Sequence, residues 1–237
     1  MTTTVTVAAA GRTHVGLVRR RNEDALHVGP YLVAVADGLG GHVAGDVASA
    51  DAMKALHAYD RPVDSEALAR ALGTAVHSIN EALRRRTAAD PELAGMATTL
   101  VALLFSGSSA ALANLGDSRA YVLRRPGDLA QITEDHTYGH LVADSKSVPN
   151  LPERLSRFLD GRTDGRSPDI TLWQFQPGDR FLLCSDGLSS YVPHAEIQNA
   201  LTSSPTPHDA ADRLVELGLA HGGHDNITVI VLDVRST

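Results

Sequence analysis

The chain has 237 residues, of which 21 are Lys or Arg and 28 are Asp or Glu, so its net charge is −7. Hydrophobic residues make up 43% of the chain and aromatic residues only 4%, which predicts a core of Ala, Val and Leu rather than stacked rings. This length allows one large domain or two small ones, and we expect a single domain over residues 1–237. The acidic balance argues against a protein that coats nucleic acid or anionic lipid.

Cysteine usage and hydropathy indicate the compartment. Cys184 is the only cysteine, which excludes an internal disulfide and a cysteine-based zinc scaffold. The longest apolar run, residues 100–105, is far too short to span a membrane, and the first residues lack a basic segment followed by an apolar one. We therefore expect a cytoplasmic protein without a membrane or nucleic-acid partner.

The apolar pattern, taken in chain order, predicts a mixed α and β fold rather than repeated βαβ units. Strands at 25–28 and 31–36 surround a turn at Gly29-Pro30, so we expect them to form a hairpin. A helix at 65–86 carries apolar side chains at helical spacing along one face: Leu68, Leu72, Ala75, Val76, Ile79 and Leu83. The strands expected to form one antiparallel meander are 98–105, 110–115, 120–124 and 129–133. The other predicted elements are strands at 4–9, 180–184 and 227–234 and helices at 43–57, 193–201 and 208–220.

Between about Asp135 and Asp169 the chain becomes polar and is interrupted by prolines. Within this segment we expect a short helix at 153–159, ended by Gly161. Long loops in compact domains are often lids or recognition elements. The segment is therefore a candidate for substrate contact.

Aspartates lie at the ends of predicted strands in four places: Asp37, Asp117, Asp186 and Asp225. Two of them, Asp37 and Asp186, follow a buried strand and precede a glycine. A single Asp-Gly after a strand is most often only a turn, because Asp caps its own backbone and Gly accepts a positive φ. The four together instead predict a shared acidic site.

The predicted hairpin brings two more carboxylates to this site. A two- or three-residue loop at Gly29-Pro30 places Glu23 opposite Ala36 or Asp37. Because adjacent residues on a strand point to opposite faces, only one of Glu23 and Asp24 would contact the same ligand directly. Carboxylates about 4 Å apart repel by roughly 4 kcal/mol per pair at an effective dielectric constant of about 20, so a cation is expected among them. Oxygen ligands without thiolates favour Mg²⁺ or Mn²⁺ over zinc.

Six ordered stretches, five of which contain these acidic residues, stand out: RRRNED (19–24), ADGLGGHVAG (36–45), ATTL (97–100), GDSR (116–119), CSDGL (184–188) and HDNITV (224–229). Their sequence and order resemble those of the metal-dependent protein phosphatases. The chain is similar to the type 2C (PPM) family in its compact bacterial form, from about Thr13 to Asp233.

The resemblance implies an α+β fold, an αββα four-layer sandwich of two antiparallel β-sheets flanked by antiparallel helix pairs. It also implies two catalytic ions, Mn²⁺ or Mg²⁺, with Asp37 bridging them. Asp186 and Asp225 would complete one metal site, and Glu23 with the backbone carbonyl of Gly38 would complete the other.

Three further roles follow from the same resemblance. Asp24 would hold water molecules in the outer shell of the metals, and Asp117 with Asp186 would bind a third, weaker ion. Arg19 stands at the position of the family's phosphate-binding arginine, whose planar fork could clamp two phosphoryl oxygens.

The implied activity is a protein serine/threonine phosphatase that hydrolyses phosphoserine and phosphothreonine by direct attack of a metal-bridging water. Its partners would be phosphorylated proteins, the substrates of a bacterial Ser/Thr kinase that it opposes in signalling. The simplest oligomeric state is a monomer. Family members usually place a flap over the site where this chain has residues 136–168, which we interpret as a flap-like insert of unusual sequence.

Two positions depart from the family pattern. Leu39 stands where animal relatives often carry a histidine, so the general acid is either a metal-bound water or, less favoured, His42. Ala97 replaces the glycine of the family's Gly-Thr-Thr, a small change that affects packing rather than chemistry.

Two other functions stay open at this point. One is a non-enzymatic regulator that keeps the fold to bind phosphoproteins, although a complete acidic set would be unnecessary for it. The other is a two-metal hydrolase of a different phosphate ester, such as a nucleotide. A cysteine phosphatase is excluded because Ser190, not Arg, stands six residues after Cys184.

Overall fold

The computed structural model describes residues 5–39, 44–124, 127–141, 149, 154–162 and 167–237. Its strands are β1 (Val5–His14), β2 (Asp24–Val28), β3 (Leu32–Leu39), β4 (Ala97–Thr98), β5 (Leu100–Ser106), β6 (Ser109–Leu115), β7 (Arg119–Leu123), β8 (Leu129–Gln131), β9 (Asp169–Gln174), β10 (Arg180–Cys184) and β11 (Ile227–Ser236). Its helices are α1 (Gly45–His57), α2 (Leu68–Ala89), α3 (Tyr138–Leu141), α4 (Asp186–Ser189), α5 (His194–Ser203) and α6 (Pro207–Ala220), with 3₁₀ turns at Ser65–Ala67 and Pro91–Leu93.

The described strands form two sheets in which every pairing is antiparallel. The first sheet has the order β1-β11-β10-β7-β8, and the second has the order β2-β3-β5-β6-β9, with β4 paired to β3. The long final strand β11 lies between β1 and β10 near the centre of the first sheet. The hairpin partners β2 and β3 lie at one side of the second sheet.

The apolar run of β3 is buried on both faces, which explains why it is continuous rather than alternating. Val33 and Val35 point between the sheets, where they share a cluster with Phe181 of β10. Ala34 and Ala36 point the other way and pack with α1 and α2. A two-sheet core with helices outside follows from this double burial.

Each sheet is covered on its outer face by helices. In α2 every residue of the predicted apolar face is buried: Leu68, Leu72, Ala75, Val76, Ile79 and Leu83. On the other side, Leu201 of α5 and Leu214 of α6 pack with Val229 and Val231 of β11. The layers are therefore helix, sheet, sheet, helix, and the predicted αββα sandwich is confirmed. Within the part of the chain that the structure describes, no helix combines the length and the apolar character needed to cross a bilayer.

The predicted four-strand meander is wrong, because its strands are divided between the two sheets. Strands β5 and β6 pair in the second sheet, whereas β7 and β8 pair in the first. The chain changes sheets at Gly116, which has a φ of 109° and begins the short connection through Asp117 and Ser118. Strands β5, β6 and β7 are buried on both faces, so hydrophobic patterning alone does not reveal which sheet each of them joins.

Two further differences lie after residue 150. The described part of the predicted helix at 153–159 is not helical, because its backbone groups bond to other segments: Ser156 N–H donates to His136 (2.8 Å) and Leu159 N–H to Thr98 (2.9 Å). The edge strand β9 was not predicted. Its side chains are mostly exposed, so it lacks the apolar signal that marks the central strands.

Candidate active site

The aspartates from the ends of both sheets line one cavity of about 870 Å³. Its acidic base, which we call the carboxylate floor, consists of Glu23, Asp37, Asp117, Asp186 and Asp225. The rest of its lining consists of Arg19, Arg20, Arg21, Gly38, Leu39, Arg154, Leu155, Phe158 and Asn226. The structure thus brings together the acidic residues that the sequence placed at separate strand ends.

Asp37 is fixed through its backbone by two threonines of the 97–100 stretch. Its N–H donates to Thr99 Oγ1 (3.0 Å), and its carbonyl accepts from Thr99 N–H (2.9 Å) and Thr98 Oγ1 (3.0 Å). Thr99 Oγ1 also bonds to Ser118 Oγ (2.8 Å), the neighbour of Asp117. The two threonines therefore join the aspartate of β3 to the turn that changes sheets.

Glu23 and Gly38 meet over the first residue of α1. The hairpin loop is longer than predicted, because Val28 pairs with Val33, and Glu23 is therefore level with Gly38 rather than with Ala36 or Asp37. Gly38 N–H donates to the Glu23 carbonyl (3.1 Å). A Cβ at Gly45 would overlap both the Glu23 carboxylate and the Gly38 carbonyl. Only glycine leaves these two oxygens on the same side of a small space.

Asp24 faces the other way, as the alternation along a strand requires. Its Oδ2 accepts a hydrogen bond from Ser185 Oγ (2.7 Å), next to Asp186 on the opposite sheet. Its Oδ1 is buried and has no hydrogen-bond partner among the described residues. Burial, with the charges of Asp186 and Asp225, raises the pKa of Asp24 to about 7. A buried carboxylate oxygen without a partner indicates that an additional donor, such as water, belongs here.

Three other carboxyl groups of the site also have raised pKa values, which favours their protonated forms. Burial, reinforced by the neighbouring aspartates, raises the pKa of Asp37 well above its usual value and raises that of Asp186. Burial and the charge of Asp186 raise the pKa of Asp117 to about 7. Burial is the largest cause of each of these shifts, and repulsion from the neighbouring carboxylates adds to it.

A divalent cation would relieve this repulsion, and the donors present fit a hard one. The floor offers carboxylate oxygens and one backbone carbonyl, while the sole thiol, Cys184, is buried in the core cluster of the first sheet. Within the described ranges, no three acidic, histidine or cysteine side chains already form a closed cage. Any ion here would therefore retain waters, as Mg²⁺ and Mn²⁺ commonly do in proteins.

Arg19 lies beside this acidic group. Its guanidinium donates to Asp225 Oδ2 (2.6 Å), and its side chain is 57% exposed. The neighbouring Asn226 holds the loop that carries Arg19: its Nδ2 donates to the carbonyls of Val15 and Arg21 (both 2.9 Å), and its Oδ1 accepts from Glu23 N–H (2.7 Å). Arg19 can therefore reach the cavity while its backbone stays in place.

Several residues of the site were not assigned a role from the sequence. The residues that hold the carboxylates all lie within the quoted motifs. Ser118, Ser185 and Asn226 each stand next to a predicted ligand in the sequence, whereas Thr98 and Thr99 lie in the 97–100 stretch, which contains none. The signal was present but did not specify a role.

The sequence marked the 136–168 segment as a candidate for substrate contact but did not indicate which of its residues would face the cavity. Arg154, Leu155 and Phe158 line the outer part of the cavity. His42, the alternative general acid, lies outside the described residues.

Comparison with known proteins agrees with this geometry. Residues 11–218 match the family described as protein phosphatase 2C. The serine/threonine protein phosphatase PstP of Mycobacterium tuberculosis is 42% identical over 98% of this chain, which spans 46% of PstP, about half of its length. The serine/threonine phosphatase stp of Listeria monocytogenes is 36% identical, with 94% of each chain covered.

Solved structures give the same result. The crystal structure of the catalytic domain of PstP in complex with two manganese ions is 41% identical, with a TM-score of 0.89, and the match covers 98% of this chain and 100% of that one. The resemblance drawn from the six motifs is therefore confirmed, as is the fold that it implied. The individual roles of Arg19, Glu23, Asp24, Gly38 and the floor aspartates stay predictions.

Proposed function

This chain belongs to the protein phosphatase 2C family, and from that premise we propose that it hydrolyses phosphoserine and phosphothreonine in proteins with the help of two Mn²⁺ or Mg²⁺ ions. The observation that carries the proposal is the convergence of half-buried aspartates from the ends of both sheets on one cavity. Relatives of matching length are serine/threonine phosphatases, and a solved relative contains two manganese ions.

The donors suggest how two ions would be held. Asp37, at the centre of the floor, would contact both. Asp186 and Asp225 would complete one site, and Glu23 with the Gly38 carbonyl would complete the other. Asp117 with Asp186 would bind a third, weaker ion. When bound, such ions supply positive charge at the phosphoryl oxygens and activate water as a nucleophile.

The chain's own residues bind and orient the substrate. Arg19 exchanges its hydrogen bond to Asp225 for two phosphoryl oxygens, which its planar guanidinium can contact together. Asp24, held by Ser185, keeps its second oxygen for a bound water. Among the described lining residues none is a histidine, and Leu39 is apolar; we therefore keep a bound water as the favoured source of the proton that the leaving alkoxide needs and His42, which lies outside the described residues, as the less favoured one.

We also propose the setting in which the domain acts. Its substrates would be phosphoproteins made by a bacterial Ser/Thr kinase, and the phosphatase would oppose that kinase. The buried thiol of Cys184 suits a reducing cytoplasm. A net charge of −7 on a chain with a complete site of its own suits a monomer.

The test is hydrolysis of a phosphothreonine peptide by the purified chain with Mn²⁺, then with EDTA, alongside Asp37→Asn. We expect turnover with Mn²⁺ and loss of turnover in both controls. Turnover that persists in EDTA would contradict the metal mechanism. Absence of turnover with any divalent metal, together with phosphopeptide binding, would instead identify a non-enzymatic regulator.

A second comparison separates protein substrates from other phosphate esters. The same enzyme is assayed with a nucleoside monophosphate at equal concentration. We expect the phosphopeptide to be hydrolysed with the larger kcat/KM, and the opposite order would identify a small-molecule phosphatase.

A further inference from the structure

Three arginines line the same cavity as the carboxylate floor and form no ion pair with it among the described residues. Arg20 and Arg21 precede Glu23 on one side, and Arg154 comes from the 136–168 segment. All three are exposed. We call Arg20, Arg21 and Arg154 the arginine rim.

The guanidinium groups of the arginine rim have no carboxylate partner among the described residues. Two arginines close by behave differently, since Arg19 pairs with Asp225 (2.6 Å) and Arg157 pairs with Asp169 (2.8 Å). If the rim served only to balance the charge of the floor, similar ion pairs would be expected. The rim groups instead keep their donors available to something that enters the cavity.

The rim also opposes the charge of the whole molecule. The chain carries −7, yet three arginines that have no carboxylate partner among the described residues line one cavity. Charges of one sign in a cleft concentrate the local field and raise the local concentration of oppositely charged ligands. The rim therefore favours an anionic ligand over a neutral one.

Both sides of the rim are held by the backbone, while the side chains extend freely. The carbonyl of Arg154 accepts from Tyr138 N–H (2.9 Å), and that of Arg21 accepts from Asn226 Nδ2 (2.9 Å). Guanidinium groups bind carboxylate and phosphate through paired hydrogen bonds. A fixed backbone reduces the conformational entropy that such binding loses.

The cavity has room for more than one group. Its volume of about 870 Å³ exceeds what a single phosphorylated side chain needs, and Leu155 and Phe158 add an apolar wall beside Arg154. Residues that flank the phosphorylated one would therefore reach the rim while the phosphoryl group lies at the floor.

We propose that the arginine rim is a specificity site that binds a second anion of the substrate, either a carboxylate or another phosphate on a neighbouring residue. This inference rests on the proposed function. It predicts that the domain prefers phosphorylated segments that are acidic or multiply phosphorylated.

The test uses three peptides of equal length, each with one phosphothreonine. In the first the flanking residues are Gln, in the second they are Glu, and in the third a non-hydrolysable phosphonate stands two residues from the phosphothreonine. We expect kcat/KM with Mn²⁺ to be about ten-fold higher for the second or third peptide than for the first, a total consistent with several exposed charge pairs. The preference should shrink as added salt shortens the screening length.

Variants then locate the preference. Arg154→Gln and the double variant Arg20→Gln, Arg21→Gln should each lower the ratio of charged to neutral peptide by about three-fold or more. Arg85→Gln, an exposed arginine on α2 outside the cavity, removes the same charge and should keep the ratio. Because both peptides are measured with the same enzyme, the ratio does not depend on how much of a variant is folded.

Different failures have different meanings. Equal kcat/KM for all three peptides would overturn the rim proposal while supporting phosphatase activity. A ratio lowered as much by Arg85→Gln would also overturn it, because overall charge would then explain the preference. Failure to hydrolyse any of the peptides, and p-nitrophenyl phosphate as well, would overturn the proposed function and the rim with it.

Discussion

The carboxylate floor and the arginine rim face the same cavity but are held in different ways. Asp37 lies in β3 and is fixed by hydrogen bonds to Thr98 and Thr99, which are themselves fully buried. Arg154 lies in a segment that is neither helix nor continuous strand and exposes its side chain to solvent. Groups that perform chemistry need fixed positions, whereas groups that select substrates can lie on loops whose sequence changes without disturbing the core.

One histidine joins the two regions. His136 Nδ1 accepts from Gly116 N–H (3.1 Å), beside Asp117 of the floor. Its other ring nitrogen must then carry the proton that it donates to Asp169 (2.9 Å), which also pairs with Arg157. A chain of hydrogen bonds and one ion pair therefore connects the 154–158 segment to the turn that carries Asp117.

The largest expected effect comes from breaking the floor. Asp186→Asn removes a charge shared by two of the proposed metal sites, so we expect Mn²⁺-dependent turnover of p-nitrophenyl phosphate to fall by more than about 100-fold, beyond the loss typical of outer-shell partners. Glu66→Gln, which removes an exposed carboxylate far from the cavity, is the matched control. Circular dichroism should show an intact fold in both. A normal rate in Asp186→Asn would refute the metal assignment.

The second effect is on stability and depends on pH. The pKa of Asp24 is about 7 in the folded protein against an ordinary value of 3.8, so its ionisation destabilises the metal-free fold as pH rises through this window. Below about pH 4 the carboxyl is protonated in both states and contributes no such loss. In EDTA, the Tm of Asp24→Asn relative to wild type should therefore increase between pH 4 and pH 7, by roughly 2–4 °C per kcal/mol for a domain of this size.

Saturating Mn²⁺ provides the control for this measurement. An ion that binds only the folded state stabilises it by an amount that grows with the logarithm of its concentration relative to Kd, about 2.7 kcal/mol at 100 times Kd. The pH-dependent difference between the two proteins should then shrink. A difference that is the same at every pH in EDTA would mean that Asp24 is not ionised against its surroundings.

A smaller effect is expected from Asp117, the floor residue that would bind the weaker third ion. Asp117→Ala should lower kcat by less than about ten-fold at saturating Mn²⁺ while raising the Mn²⁺ concentration needed for half-maximal rate. The reason is that removing a group outside the two main metal sites typically changes metal affinity by about 10–100-fold. Its removal also relieves repulsion from Asp186, so Tm in EDTA should not fall. An unfolded variant would show that Asp117 serves the turn rather than a metal.

The smallest effect should come from weakening the support of the 154–158 segment, which carries Arg154 of the arginine rim. Arg157→Gln breaks the ion pair with Asp169 but keeps the hydrogen bond that His136 donates to Asp169. The 154–158 segment therefore loses one of its supports. We expect the KM for a phosphopeptide to rise about two-fold while kcat stays nearly constant, as suits one exposed ion pair. Arg213→Gln, which breaks an exposed pair on α6, is the control. An unchanged KM would mean that this ion pair does not position the 154–158 segment for substrate binding.

Much of the site was accessible from sequence because its residues lie at the ends of strands with strong apolar signals. Asp37 follows the run of β3, and Asp186 follows that of β10, so both were placed correctly beside a buried sheet end. The hairpin register was wrong by one or two residues, because loop length depends on backbone bonds that composition does not specify. Glu23 was therefore placed correctly near the site, but the residue opposite it is Gly38 rather than Ala36 or Asp37.

The sequence by itself determined which segments are buried and where the acidic residues stand along them. Periodicity of 3.6 along α2 and apolar runs in the strands are local properties, and the six motifs are local as well. Only the tertiary structure decided which sheet each strand joins, where the chain changes sheets at Gly116, and that Arg154 faces the same cavity as Arg20. These relations join residues far apart in the chain through hydrogen bonds and packing between layers, and local patterns contain no record of such contacts.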